Sequence, residues 1–122
     1  MYQPDRESMS RPTLADQQLA RLHSLLRRVN DAVPLYRQRF AEAGVKPSVS
    51  SLEDLADFPF TVKDDLRAAY PYGMFAVPMG DIVRLHSSSG TTGQITVVGY
   101  TRNDIDVWSD LMARTLVAAR AT

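Results

Sequence analysis

An α/β fold, rich in helix and carrying one β-hairpin, is predicted by three features of this 122-residue chain. Apolar residues recur at three- and four-residue steps across 14–44 and again across 105–117. Two short runs, Ile82-Val83-Arg84-Leu85-His86 and Thr96-Val97-Val98-Gly99-Tyr100, have the β-branched character of strands. Between them lies a segment, 87–95, dense in hydroxyls and glycine. With 44% apolar and 23% charged residues the composition is that of a folded globular chain.

The elements follow in order. Residues 1–12 hold two prolines and no apolar period, which predicts a flexible leader. Thr13, with Asp16 three places on, is expected to cap a helix from Leu14 to about Ala32, whose stripe is Leu22, Leu25, Leu26, Val29 and Val33. Val33 precedes Pro34, which disfavours helical geometry at Val33 and suits Pro34 to the first turn of a second helix ending near Gly44. Ser51-Leu52-Glu53-Asp54-Leu55 is a short capped helix, and Phe58-Pro59-Phe60 an extended connector. Thr61 is expected to cap a further helix through Leu66 to about Tyr70, and Pro71, Gly73 and Pro78 mark a loop. The last helix starts after Thr101, with Asp104 completing its cap, and carries Ile105, Trp108, Leu111, Met112, Leu116 and Val117. The expected regions are therefore 1–12, a helical 13–80, and a strand–loop–strand–helix unit over 81–122.

Composition narrows the function. Fourteen Lys and Arg balance fourteen Asp and Glu, so net charge gives no general case for nucleic acid or an anionic membrane. No apolar run approaches the roughly 18 residues of a membrane span, and the polar start has no secretory core, so a cytoplasmic location is expected. Without cysteine there is no disulfide, thiolate zinc site or cysteine nucleophile, and His23 and His86 stand apart, so no metal site is expected.

The loop carries the chemistry. Gly90 and Gly93 relax the backbone so that successive N–H groups can converge on an anion, and Ser88, Ser89, Thr91 and Thr92 add hydroxyl donors. Phosphate is the ligand this pattern suits, since hydrogen bonds to charged groups contribute on the order of 1.5–3 kcal/mol each. Two other glycine motifs fail. A Walker loop needs four residues between its glycines and then Gly-Lys, whereas two residues separate Gly90 from Gly93 and Gln94 follows. The dinucleotide fingerprint lacks its third glycine and its following helix. Taken alone, the segment also reads as a flexible hairpin turn.

Its neighbourhood adds a resemblance. Ser88-Ser89-Gly90-Thr91-Thr92-Gly93 followed by Thr96 resembles the phosphate-binding signature of the adenylate-forming enzymes. The stretch from Leu55 to Arg67 (LADFPFTVKDDLR), Tyr70-Pro71-Tyr72-Gly73-Met74-Phe75-Ala76-Val77-Pro78 and Val97-Val98-Gly99-Tyr100-Thr101 resemble the amino-terminal region of phenylacetate-CoA ligases. Val33-Pro34-Leu35-Tyr36 and Glu42-Ala43-Gly44-Val45 fit the same pattern. One departure is local: the family commonly has Lys-Pro where this chain has Gln94-Ile95. The other is length, the family being far longer.

The resemblance implies the amino-terminal part of the ligase large domain and a role in phenylacetate catabolism. It implies ATP with Mg, an aryl carboxylic acid and CoA as the parent enzyme's cofactor and substrates. ATP phosphates would be held by Ser88, Ser89, Gly90, Thr91, Thr92, Gly93 and Gln94. The adenine, aryl and magnesium contacts and the catalytic lysine would lie beyond Thr122, so no catalytic residue is assigned and the chain alone is expected to be inactive. Rival readings are a stand-alone helical interaction module and a diverged phosphate-binding protein. Lys63, Asp64 and Asp65 read as a solvated first turn, His86 as structural and Trp108 as core, while Asp104 and Asp106 lack further metal ligands. The apolar stripe of the last helix and the open strand edges predict a homo-oligomer formed through 82–120.

Overall fold

The computed structural model describes residues 1–88 and 95–120. Its elements are α1 (Pro4–Glu7), α2 (Arg11–Ala32), α3 (Pro34–Ala43), a 3-10 turn (Glu53–Asp57), α4 (Lys63–Ala68), a second 3-10 turn (Met79–Asp81), β1 (Ile82–Ser87), β2 (Val97–Thr101) and α5 (Arg102–Ala118). Helix dominates, and the strand content of the expected α/β class is one two-stranded antiparallel hairpin.

Local chemistry sets the α2–α3 corner. Val33, held extended at φ −114° and ψ 108° by the following proline, ends α2, and Pro34 opens α3. α3 stops at Gly44, whose φ of 67° is the left-handed conformation that glycine tolerates. The Val45 N–H then bonds the Phe40 carbonyl at 3.0 Å and the Gly44 N–H that of Ala41 at 3.1 Å, satisfying the helix's last acceptors.

This corner encloses the core. Leu26 of α2, Phe40 of α3 and Val49 form its buried centre, with Leu19, Leu22, Val29, Tyr36, Val45 and Phe58 packed around them. Phe58 meets Phe40 edge-on at 5.2 Å, a favoured aromatic geometry, so the 45–58 segment closes the corner. Asp54 anchors that segment by accepting from the Ser50 and Ser51 N–H groups, which holds its carboxyl below the usual range.

Three expectations about caps and exposure are corrected by the structure. The cap of α2 is Ser10, whose hydroxyl accepts from the Thr13 N–H at 3.3 Å; Pro12 in the first turn needs no N–H partner, so the helix starts before Thr13. The cap of α4 is Val62, not Thr61: Asp65 reaches back to the Val62 N–H at 2.7 Å. Asp65 is also not a solvated residue, because its side chain is only 12% exposed and pairs with Arg39 of α3, whereas Asp64 is 81% exposed. Residues 1–12, expected as a leader, carry α1 and the start of α2. They meet α5 through Gln3, which donates to Asp110 and accepts from Arg114, each at 2.9 Å.

The accessible surface is 8974 Å². A compact monomer of 13.6 kDa has about 6,600 Å². Among the described residues only Leu26, Val33, Phe40 and Val49 are buried apolar side chains, and Leu111, Met112 and Leu116 of α5 stay about half exposed. No helix among the described residues is long and apolar enough to cross a membrane.

Candidate phosphate-binding loop

The hairpin positions the loop. β1 and β2 pair Arg84 with Tyr100, Leu85 with Gly99, His86 with Val98 and Ser87 with Val97. Directly opposed residues share a face and successive residues alternate, so Arg84, His86 and Ser88 lie on one face with Tyr100, Val98 and Thr96. A bulge between Ile82 and Arg84 adds one residue to β1 and turns Ile82 to the other face, beside Gly99.

Each face has its own support. On one, His86, Tyr100 and Trp108 of α5 form a cluster: His86 meets Tyr100 at 5.0 Å and Trp108 at 5.6 Å, and Tyr100 stacks on Trp108 at 5.5 Å. These ring contacts give His86 a packing role. Trp108 takes part in the cluster yet is 41% exposed, so it is not the core residue its spacing implied. On the other face Phe75 lies so close to Gly99 that a side chain there would overlap its ring.

The helix after the hairpin is fixed at its first residue. The Thr101 hydroxyl accepts from the Asp104 N–H at 3.2 Å, and Asp104 Oδ2 accepts from both the N–H and the hydroxyl of Thr101 at 2.8 Å. This is the reciprocal cap expected from the sequence, with Asp in place of Glu. The Thr101 N–H, then its hydroxyl, and more weakly the Arg28 charge, hold the Asp104 carboxyl below its ordinary range. Asp104 is thereby committed to the cap. Among the described residues no group of three or more His, Cys, Asp or Glu could hold a metal, so no magnesium ligand is assigned to them.

At the mouth of the hairpin the ladder runs one step past the strands. The Ser88 N–H donates to the Thr96 carbonyl at 3.1 Å, the two hydroxyls are 2.8 Å apart, and the Thr96 N–H reaches Ser88 Oγ at 3.3 Å. Thr96 is buried and Ser88 exposed. Of the expected phosphate-binding residues Ser88 is thus placed at the loop's base, while Ser89, Gly90, Thr91, Thr92, Gly93 and Gln94 lie outside the described residues. The sequence places Thr96 at the head of the second strand run and in the signature, with no partner for its hydroxyl. Its pairing with Ser88 was available in the strand register, which sets these hydroxyls opposite one another.

No family model matches the chain. Phenylacetate-coenzyme A ligase of Pseudomonas putida is 59% identical over 114 residues, which are 93% of this chain and 26% of that protein. The Thermus thermophilus ligase is 51% identical over 122 residues, 99% of this chain and 27% of that protein. A crystal structure of 2-hydroxyisobutyryl-CoA ligase with 2-HIB-AMP and CoA superposes with a TM-score of 0.74 at 38% identity, over 83% of this chain and 23% of that one. An open conformation of that ligase gives 0.72 at 36% identity. The chain therefore belongs to the adenylate-forming CoA ligase family. Within it the chain corresponds to the amino-terminal segment of phenylacetate-coenzyme A ligase, and it spans about a quarter of the length of the curated relatives it matches.

Proposed function

We propose that this chain supplies the ATP-phosphate loop of an aryl-acid CoA ligase acting on phenylacetate or a close analogue. The observation that carries the reading is the loop's setting. In sequence the hydroxyl and glycine signature joins two paired strands whose facing ends are tied by Ser88 and Thr96, in a chain 59% identical to a phenylacetate-coenzyme A ligase. In the reaction a carboxylate oxygen of the acid attacks the α-phosphorus of ATP, and the bond to the β-phosphate breaks with its electron pair leaving on pyrophosphate. CoA thiolate then attacks the acyl carbonyl and AMP departs.

The part assigned to this chain is positioning and charge stabilisation. Ser88, Ser89, Thr91, Thr92 and Gln94 donate side-chain hydrogen bonds to the β- and γ-phosphates, and Gly90 and Gly93 let backbone N–H groups approach them. These donors strengthen as charge grows on the departing pyrophosphate, and such binding lowers the barrier to adenylation. Residues 13–80 form the helical base on which the 81–122 unit is carried. The aryl and CoA contacts belong to other parts of such a ligase, which acts on cytoplasmic ATP and CoA.

A hybrid enzyme tests this reading. This chain replaces the matching quarter of the Pseudomonas putida ligase, and pyrophosphate release is followed with ATP, phenylacetate and CoA. Phenylacetate-dependent release by the hybrid, with none from the 122-residue chain alone, is the expected result. A hybrid that folds and binds phenylacetate yet releases no pyrophosphate would refute it.

A further inference from the structure

The two hydroxyls at the loop's base have unequal surroundings, and proton counting distinguishes their roles. Ser88 and Thr96 carry two hydroxyl protons but share a single oxygen–oxygen contact of 2.8 Å. One proton fills that contact and the other must point elsewhere. Thr96 is only 8% exposed. If Ser88 donated to it, the Thr96 proton would be left inside the protein needing a second acceptor, an arrangement buried donors avoid. If Thr96 donates instead, the remaining proton is on Ser88, which is exposed. Ser88 Oγ also accepts the Thr96 N–H at 3.3 Å, so Thr96 supplies both of the bonds that Ser88 Oγ receives.

We propose that Thr96 is a positioning residue that turns the Ser88 hydroxyl proton out of the hairpin mouth toward a phosphate oxygen of the bound nucleoside triphosphate. An oxygen that accepts two hydrogen bonds is a stronger donor through its own proton, so the pair acts as a short polarised chain from the Thr96 hydroxyl through the Ser88 hydroxyl to the anion. The Ser88 N–H to Thr96 carbonyl bond fixes the spacing of the two residues. Thr96 itself touches no phosphate. This assignment rests on the loop being the phosphate site.

The test titrates the full 122-residue chain with ATP and, separately, with inorganic pyrophosphate, following backbone amide shifts by NMR. Ser88→Ala is expected to weaken binding by about tenfold, the loss of one hydrogen bond to a charged group. Thr96→Val, which keeps the side-chain shape, should weaken it comparably. Thr96→Ser should restore it, and the double variant Ser88→Ala, Thr96→Val should bind no more weakly than Ser88→Ala alone. Wild-type affinity in Thr96→Val, or additive losses in the double variant, would overturn the inference while leaving the loop reading intact. Absence of any saturable shift in the wild type would overturn both. Hydroxyl-proton exchange in the wild type gives a reading that needs no variant to fold: a slowly exchanging Thr96 proton beside a fast Ser88 proton is expected, and the reverse order refutes the assignment.

Discussion

Replacing Gly99 by alanine tests whether the hairpin is clamped from its Phe75 face. A Cβ at this position would lie 2.7 and 2.8 Å from two atoms of the Phe75 ring and 3.0 Å from Ile82 Cδ1. The backbone there is not in the left-handed region. Chain entropy alone would therefore make alanine stabilising by about 0.4–1 kcal/mol, and strand preference points the same way. Steric overlap opposes both. Phe75 meets Tyr72 at 5.3 Å, so its ring has to move against a neighbour. Overpacking of this kind costs roughly 1–3 kcal/mol. Less the entropic gain, the net loss is about 1 kcal/mol and at most about 2.6 kcal/mol, so with an unfolding entropy of about 0.26 kcal/mol/K for a chain of this length the melting temperature should fall by about 4 °C and by no more than about 10 °C. Urea and thermal unfolding followed by circular dichroism measure the change. Phe75→Leu combined with Gly99→Ala should lose less than the two single changes together, since the shortened side chain relieves the overlap. A Gly99→Ala protein as stable as wild type, or more so, would refute the clamp.

Three further outcomes are expected. Thr101→Ala should cost about 1 kcal/mol at neutral pH through loss of the α5 cap. The pH dependence of that cap has a definite sign. Because the Thr101 bonds lower the folded carboxyl of Asp104, the unfolded chain binds more protons in the acid window. The contribution is complete above the unfolded value of about 3.9 and is lost as pH falls through the lower folded value, so the stability gap between wild type and Asp104→Asn should shrink below about pH 4. Light scattering at micromolar concentration should give a homodimer or larger assembly covering the half-exposed Leu111, Met112 and Leu116 of α5, whereas a stable monomer would favour a self-contained module.

Elements set by local backbone chemistry were legible in the sequence. Val33-Pro34 and Gly44 bound α3, and Thr101 with Asp104 starts α5, because proline, glycine and a reciprocal cap act within four residues. The two β-branched runs appear as strands within a residue of the expected bounds, 82–87 and 97–101. Features that depend on distant partners were not legible. Asp65 looks solvated from its neighbours alone, and only the fold brings Arg39 to it. Gln3 finds Asp110 and Arg114 more than a hundred positions away, so residues 1–12 show no period that would reveal them. The cap expected at Thr13 falls three positions earlier, at Ser10, because Pro12 fits the first turn of the helix. Residues 89–94 lie outside the described residues, so the loop's chemistry is read from its hydroxyls and glycines alone, while the difference in burial between Thr96 and Ser88 required the structure.

Whether this loop holds the phosphates of ATP during adenylation is read from the rate of phenylacetate-dependent exchange of labelled pyrophosphate into ATP. The measurement uses the hybrid ligase carrying this chain, with and without Thr91→Ala and Thr92→Ala. Each lost hydroxyl removes a hydrogen bond to charged phosphate of about 1.5–3 kcal/mol, so exchange should fall on the order of tenfold or more per site, with the folded hybrid and its phenylacetate binding preserved. Exchange at the unsubstituted rate in the double variant would contradict phosphate binding by the loop and return the segment to a simple hairpin turn.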